Sequence, residues 1–376
     1  MEPSFADIPI VDGHIHFDDV KSMPDILHIM ETVPLARVNL VSTPNIHTVN
    51  QNPALIQFKT AHPDRAYVSG GLDYVQVMAD PGRIEDPDRM SDPLAGQVRA
   101  LRAIGFDGLK LIEGKPTARK RFGIPLDARE YEGMWSALEE MAFPMVFHLG
   151  DPEEFWDPVR VPDWARRNGW FYGDGTFPTK EALYAEVDHI LERHPNLKII
   201  FAHFFFLSAD LERAGRFLDA HPSVCFDLTP GSEMYNNLTR THEATRRFFL
   251  RYQDRLIYGT DTSMWAIRQG GIERPLSYAR IVRTFLESDR VFTPPAVIAH
   301  WLQPGLDGLH GIALPRQALD KIYHANFQRM YGPAPAALNG AAATAEMERI
   351  AGEINAQAAA KADPDIDGII WVRKGR

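Results

Sequence analysis

One cysteine, Cys225, in a chain of 376 residues excludes an intramolecular disulfide framework and any cysteine-built zinc module. A metal bound by this chain must therefore be held by histidine and carboxylate. Long apolar runs are also missing, so a membrane-spanning protein is not expected. Positive charge is in deficit: 40 Lys and Arg against 50 Asp and Glu leave a formal charge of -10, and the basic residues are scattered rather than gathered into a tract with interleaved aromatics. Nucleic acid is accordingly a poor partner. The opening MEPSFADIPI has neither the basic flank nor the apolar core of a secretory signal, which points to the cytoplasm.

What is present begins with residues 8–17, IPIVDGHIHF, an apolar run ending in two histidines one residue apart. On a strand alternate side chains share a face, so His14 and His16 can grip one metal ion together. Eight short β-rich runs follow in series, at 8–17, 37–42, 66–73, 108–112, 145–149, 198–203, 224–228 and 256–260. Segments with helical spacing lie between most of them, among them 130–141, 180–194 and 208–221. Strand and helix alternating eight times is the pattern of a (β/α)8 TIM barrel, although a doubly wound open sheet shows the same alternation. The placement of chemical residues favours the barrel: His14, His16, Lys110, His148, His203 and Asp261 fall at or just past the C-terminal ends of different strands. A barrel gathers all such ends on one face, whereas an open sheet gathers only those at its switch point.

Two stretches exceed ordinary barrel loops. Residues 151–178, after strand 5, are rich in Trp, Phe, Tyr, Pro and Gly. As a lid or pocket wall they would offer Trp156 and Arg160 to a substrate; as a surface excursion their aromatics would pack on one another. Residues 265–275, after strand 8, bring Trp265, Arg268 and Arg274 to the same rim. The expected division is a catalytic barrel over 1–332 and an appendage over 333–376. The appendage has an Ala-rich helical middle and a closing GIIWVRKG of strand character, packed on the barrel or used between subunits of a homo-oligomer.

His148 ends the apolar strand FPMVFHLG, His203 ends KIIFAHFF, and Asp261 follows the buried run of LIYGTDTS. Burying a carboxylate and several imidazoles among apolar residues is costly unless a metal or hydrogen bonds satisfy them. Read together from DGHIHF through GFDGLKL, MVFHLGD, IIFAHF and YGTDTS to LPRQALDKIYHANFQRMYG, the chain resembles the amidohydrolase superfamily. Within it the likeness is to the amidohydrolase-2 group that includes aminocarboxymuconate-semialdehyde decarboxylase. The resemblance implies one divalent ion, zinc first and manganese or iron as alternatives, held by His14, His16, His148 and Asp261. Asp261 would double as general base and His203 would shuttle a proton. Other branches use a carbamylated lysine on strand 4 to bridge two ions. For Lys110 an unmodified cation that balances charge or meets a substrate carboxylate is the favoured reading. Trp265 would complete the pocket from strand 8. The resemblance further implies a hydrolase acting on a small carboxylated lactone, amide or ester. Non-oxidative decarboxylation of an unsaturated or aromatic acid is the runner-up, and a catalytically silent metal-binding barrel is the third reading.

Overall fold

The computed structural model describes residues 5–42 and 50–360. Eight strands, β1 Ile10–His16, β2 Leu35–Val41, β3 Ala66–Gly70, β4 Gly108–Gly114, β5 Met145–Leu149, β6 Ile199–Phe201, β7 Val224–Asp227 and β8 Leu256–Ile257, pair in sequence order, each parallel to the next. The barrel is closed between its first and last strands by backbone bonds: Gly13 N–H to Tyr258 O at 2.9 Å, His16 N–H to Thr262 O at 2.7 Å and Asp261 N–H to His14 O at 3.0 Å. The (β/α)8 expectation therefore holds. All eight strands lie where the β-rich runs place them, and the helices Glu132–Glu140, Lys180–Arg193 and Leu211–Ala220 occupy the three helical segments.

Strand pairing sets which residues face inward. Val11, Tyr67, Val146, Ile200, Cys225 and Ile257 fill the barrel interior, and Phe327, Met330 and Tyr331 of helix Asn326–Tyr331 pack on the same cluster. Above this apolar plug the interior turns polar: Ser69 Oγ contacts Asn39 Oδ1 at 3.0 Å and the Tyr331 hydroxyl at 2.9 Å. On β1, three residues from Asp12 to Ile15 pass two on β2, from Val38 to Leu40. This extra residue is a bulge that changes the parity of the strand, so Val11 faces inward below it and His14 and His16 converge on the centre above it. The larger core lies between the barrel wall and the surrounding helices. Helix Asp88–Ile104 shows how a connection is ended: Gly105 takes φ 101°, a left-handed turn that a side chain would strain, and β4 follows.

Residues 265–275 are not a loop. Helix Met264–Gly270 begins at the Ser263 cap, and Glu273–Glu287 follows after Gly271. Beyond the barrel, helix Gly340–Ala360 lies on its outside, with Ala343 and Ile350 buried and Arg349 Nη1 3.1 Å from Asp73. The closing segment of strand character falls outside the described residues. No helix among the described residues is long and apolar enough to cross a membrane.

Candidate metal centre and cavity

His14 Nε2 and His16 Nε2 are 3.2 Å apart, and Asp261 Oδ1 lies 3.6 Å from the first and 3.1 Å from the second. Three donors from β1 and from the turn after β8 therefore meet at one point. Asp261 sits at φ 55°, a left-handed conformation held by its backbone bond to His14 O. Such strain persists only where the surroundings impose it.

The charge states suit a cation. Burial, reinforced by Lys110, pushes His14 down to about 4, so it is neutral. Burial alone would raise the Asp261 carboxyl, but the His16 hydrogen bond and the neighbouring histidines hold it well below the usual range. His14 Nδ1 is 2.9 Å from Asp227 Oδ2, which keeps the proton on Nδ1 and the lone pair on Nε2. Lys110 Nζ lies 2.8 Å from that Nε2, so a positive group already faces the nitrogen. The donor set fits a divalent ion on these grounds. Lys110 itself is fully buried, and burial lowers it to about 8 against the pull of Asp261 and Asp227. It contacts His14 and is not among the residues lining the cavity, a position that suits balancing the charge of the site.

His148 stands apart from these three donors. Its Nε2 donates to Gly150 O at 3.0 Å and approaches Asp151 Oδ1 at 3.4 Å, while its ring lies edge-on to His203 with centroids 5.1 Å apart. Burial, with Lys115 nearby, pushes it down to about 3. Asp151 is held in turn by Lys115 Nζ at 2.7 Å and by the Tyr172 hydroxyl at 2.6 Å.

His203 follows β6 in an unusual turn: His203, Phe204, Phe205 and Phe206 all have φ between 51° and 56°. Left-handed conformations cost L-residues roughly 1–2 kcal/mol each. The turn is held by the His203 N–H bond to Asp227 Oδ1 at 2.8 Å, the Tyr184 hydroxyl on Phe205 O at 2.8 Å and Lys180 Nζ on Phe206 O at 3.0 Å. It aims His203 Nε2 at Asp261 Oδ2, 4.0 Å away. Asp227 was not anticipated, yet it contacts both histidines; VCFDLTP carries the signal that singled out Asp261, a carboxylate closing an apolar strand.

A cavity of roughly 430 Å³ opens over this centre, with His148, His203 and Asp261 in its wall. Residues 151–178 form another side through Phe155, Trp164, Arg167 and Trp170, and Trp265, Arg274 and Trp301 face them. Both readings of the segment are therefore partly realised, since Phe155, Val161, Ala165 and Tyr172 also make a small core of their own. Trp156 and Arg160 do not line the cavity. The Trp156 indole donates to Pro178 O at 3.0 Å and packs on Tyr172, and Arg160 is exposed.

Residues 11–332 match the family model described as Amidohydrolase. No curated protein matches the sequence. Among solved structures, a Staphylococcus aureus protein assigned to the amidohydrolases aligns at TM-score 0.52 and 14% identity, over 86% of this chain and 99% of that one. A lactonase from Listeria monocytogenes aligns at 0.51 and 11%, over 86% and 94%. A 2,6-dihydroxybenzoate decarboxylase from Rhizobium aligns at 0.49 and 13%, over 86% and 98%.

Proposed function

Because this chain belongs to the amidohydrolase family, we propose that it is a metal-dependent hydrolase acting with activated water on a small carboxylated lactone, amide or ester. The observation that carries the reading is the two-sided placement of Asp261, with Oδ1 beside His14 and His16 and Oδ2 facing His203 across 4.0 Å. Zinc, or manganese or iron in its place, would be held by His14, His16 and Asp261, with His148 completing the set if its ring turns from Gly150. When bound it supplies a Lewis acid that polarises a carbonyl and lowers the pKa of water.

The chain's own groups account for the remaining steps. Asp261 is ionised and accepts the proton of the attacking water at Oδ2. His203, whose Nε2 lies 4.0 Å from that oxygen, carries the proton on to the leaving group. Arg274, whose Nε donates to the Tyr278 hydroxyl at 2.8 Å and whose guanidinium lies 5.5 Å over Trp265, presents a fork to a substrate carboxylate. Phe155, Trp164, Trp170 and Trp301 exclude bulk water around it.

The same aromatic walls favour a second reading, decarboxylation of an unsaturated or aromatic acid, because they suit a planar ring. The two are separated by loading the protein with zinc or manganese and offering panels of carboxylated lactones, esters and aromatic acids in H₂¹⁸O. Label in a new carboxylate supports hydrolysis, whereas CO₂ release supports the second reading. Full metal occupancy with no turnover on either panel would overturn both.

A further inference from the structure

A second set of metal-type donors lies outside the catalytic centre. Residues 291–310 contain a two-stranded antiparallel ribbon, β9 Val291–Phe292 and β10 Leu309–His310, in which His310 pairs with Val291. His310 ends the ribbon, His242 opens the helix His242–Arg251, and Asp289 precedes β9. The two imidazoles stack with centroids 3.7 Å apart, and one nitrogen of each lies within 4.8 Å of the other and of an Asp289 oxygen. His310 Nε2 is 3.5 Å from Asp289 Oδ1, and Glu243 Oε1 is 3.8 Å from His242 Nδ1.

The tautomer of His242 is legible. Its Nε2 is 2.9 Å from Gly311 O, and because a carbonyl can only accept, that nitrogen carries the proton. The lone pair of His242 is then at Nδ1, 3.8 Å from Glu243 Oε1. A backbone carbonyl fixing the far nitrogen of an imidazole is the usual support of a metal-ligating histidine. We propose that His242, His310 and Asp289, with Glu243 as a fourth donor in reach, form an accessory site for a zinc-like transition ion. Two imidazoles with carboxylates suit such an ion, whereas magnesium and calcium take oxygen sets.

An ion must lie near the plane of each imidazole it uses, and the two planes are now only 7° from parallel. Binding therefore requires the stack to open. Partial exposure gives the rings that room, and the Asp289 side chain is 73% exposed and can follow them. The site would join the start of one helix to the base of the ribbon, where β9 begins and β10 ends. That ribbon is the base of residues 293–308, from which His300 and Trp301 reach the catalytic cavity. An ion here would tie down one wall of that cavity without taking part in the reaction.

The test needs no substrate. Full-length protein stripped by a chelator is titrated with zinc against a chromophoric competitor, and zinc per chain is measured after gel filtration. Two equivalents are expected for the native protein. His310→Ala and Asp289→Asn should each weaken one of them by about 10-fold or more, and His16→Ala should weaken the other. Because Asp289 is exposed, Asp289→Asn keeps the test valid even if His310→Ala fails to fold. A single equivalent that only His16→Ala weakens, or two that neither His310→Ala nor Asp289→Asn disturbs, would overturn the proposal; a single equivalent weakened by His310→Ala or Asp289→Asn would support it and count instead against the catalytic metal. Two undisturbed equivalents would place both ions at the catalytic centre.

Discussion

Asp227 Oδ2 lies 2.9 Å from His14 Nδ1, and Oδ1 of the same carboxylate accepts the His203 backbone N–H at 2.8 Å. One buried side chain at the end of β7 thereby orients a candidate metal ligand and the residue proposed to move protons. Burial would raise its carboxyl, but the hydrogen bonds from His14 Nδ1 and from the Thr229 hydroxyl, 2.5 Å away, hold it below the usual range. An ionised Asp227 beside a neutral His14 is the state that leaves the His14 Nε2 lone pair available.

Asp227→Asn tests this directly. The amide can offer an N–H to His14 Nδ1, which would move the imidazole proton to Nε2, among the donors of His16 and Asp261. Metal affinity should fall by about 10–100-fold, the range for losing such a supporting carboxylate. Competition with a chelator measures it, and unchanged affinity would show that Asp227 does not set the tautomer.

His203→Ala should keep metal content near that of the native protein while lowering turnover by ~100-fold or more. Asp261→Ala should damage both, since it contributes to the donor set and to proton transfer. Elemental analysis beside steady-state kinetics separates the cases. If His203→Ala strips the metal, His203 is a ligand and the division of roles fails.

The pairing of His14 with His16 is legible because period-two geometry needs nothing beyond the strand itself. The bulge between Asp12 and Ile15 that turns both histidines inward is not, because it is a relation of β1 to β2. Asp227 is hidden for a similar reason, since its importance comes from lying beside a residue 213 positions earlier. The left-handed turn at 203–206 contradicts local preference, and phenylalanine gives no hint of it. In 151–178 the aromatics follow no period, so composition identifies a wall without saying that Trp164 faces the cavity and Trp156 faces away.

Glu233 offers a pH-dependent test. It is 4% exposed, neither carboxylate oxygen has a hydrogen-bond partner, and burial beside Glu154 raises it to about 8. In the unfolded chain it ionises near the usual glutamate value, so between about pH 4.5 and 8 folding must take up a proton there. The resulting penalty grows as pH rises and levels off above pH 8. Glu233→Gln should therefore leave stability nearly unchanged at pH 4.5 and raise it by roughly 5 kcal/mol at pH 9. Urea unfolding at the two pH values gives the comparison, and an equal effect at both would remove ionisation as the cause.

Residues 151–178 should divide by face. Trp164 lines the cavity, whereas Trp156 is held by Pro178 O and Tyr172 on the other side of the segment. Trp164→Ala should raise KM about 10-fold or more with little change in metal content, because it removes apolar wall without touching the donors. Trp156→Ala should lower Tm and leave KM nearly unchanged. Replacing 155–172 by a short Gly/Ser linker removes Tyr172 from Asp151 but leaves the Lys115 bond at 2.7 Å, so the barrel and its metal should persist while turnover collapses. Arg274→Met is the matching change on the opposite wall: its KM effect should be large for a carboxylated substrate and small for the corresponding amide. Equal KM effects from Trp164→Ala and Trp156→Ala would mean that the segment acts only as packing and does not select the substrate.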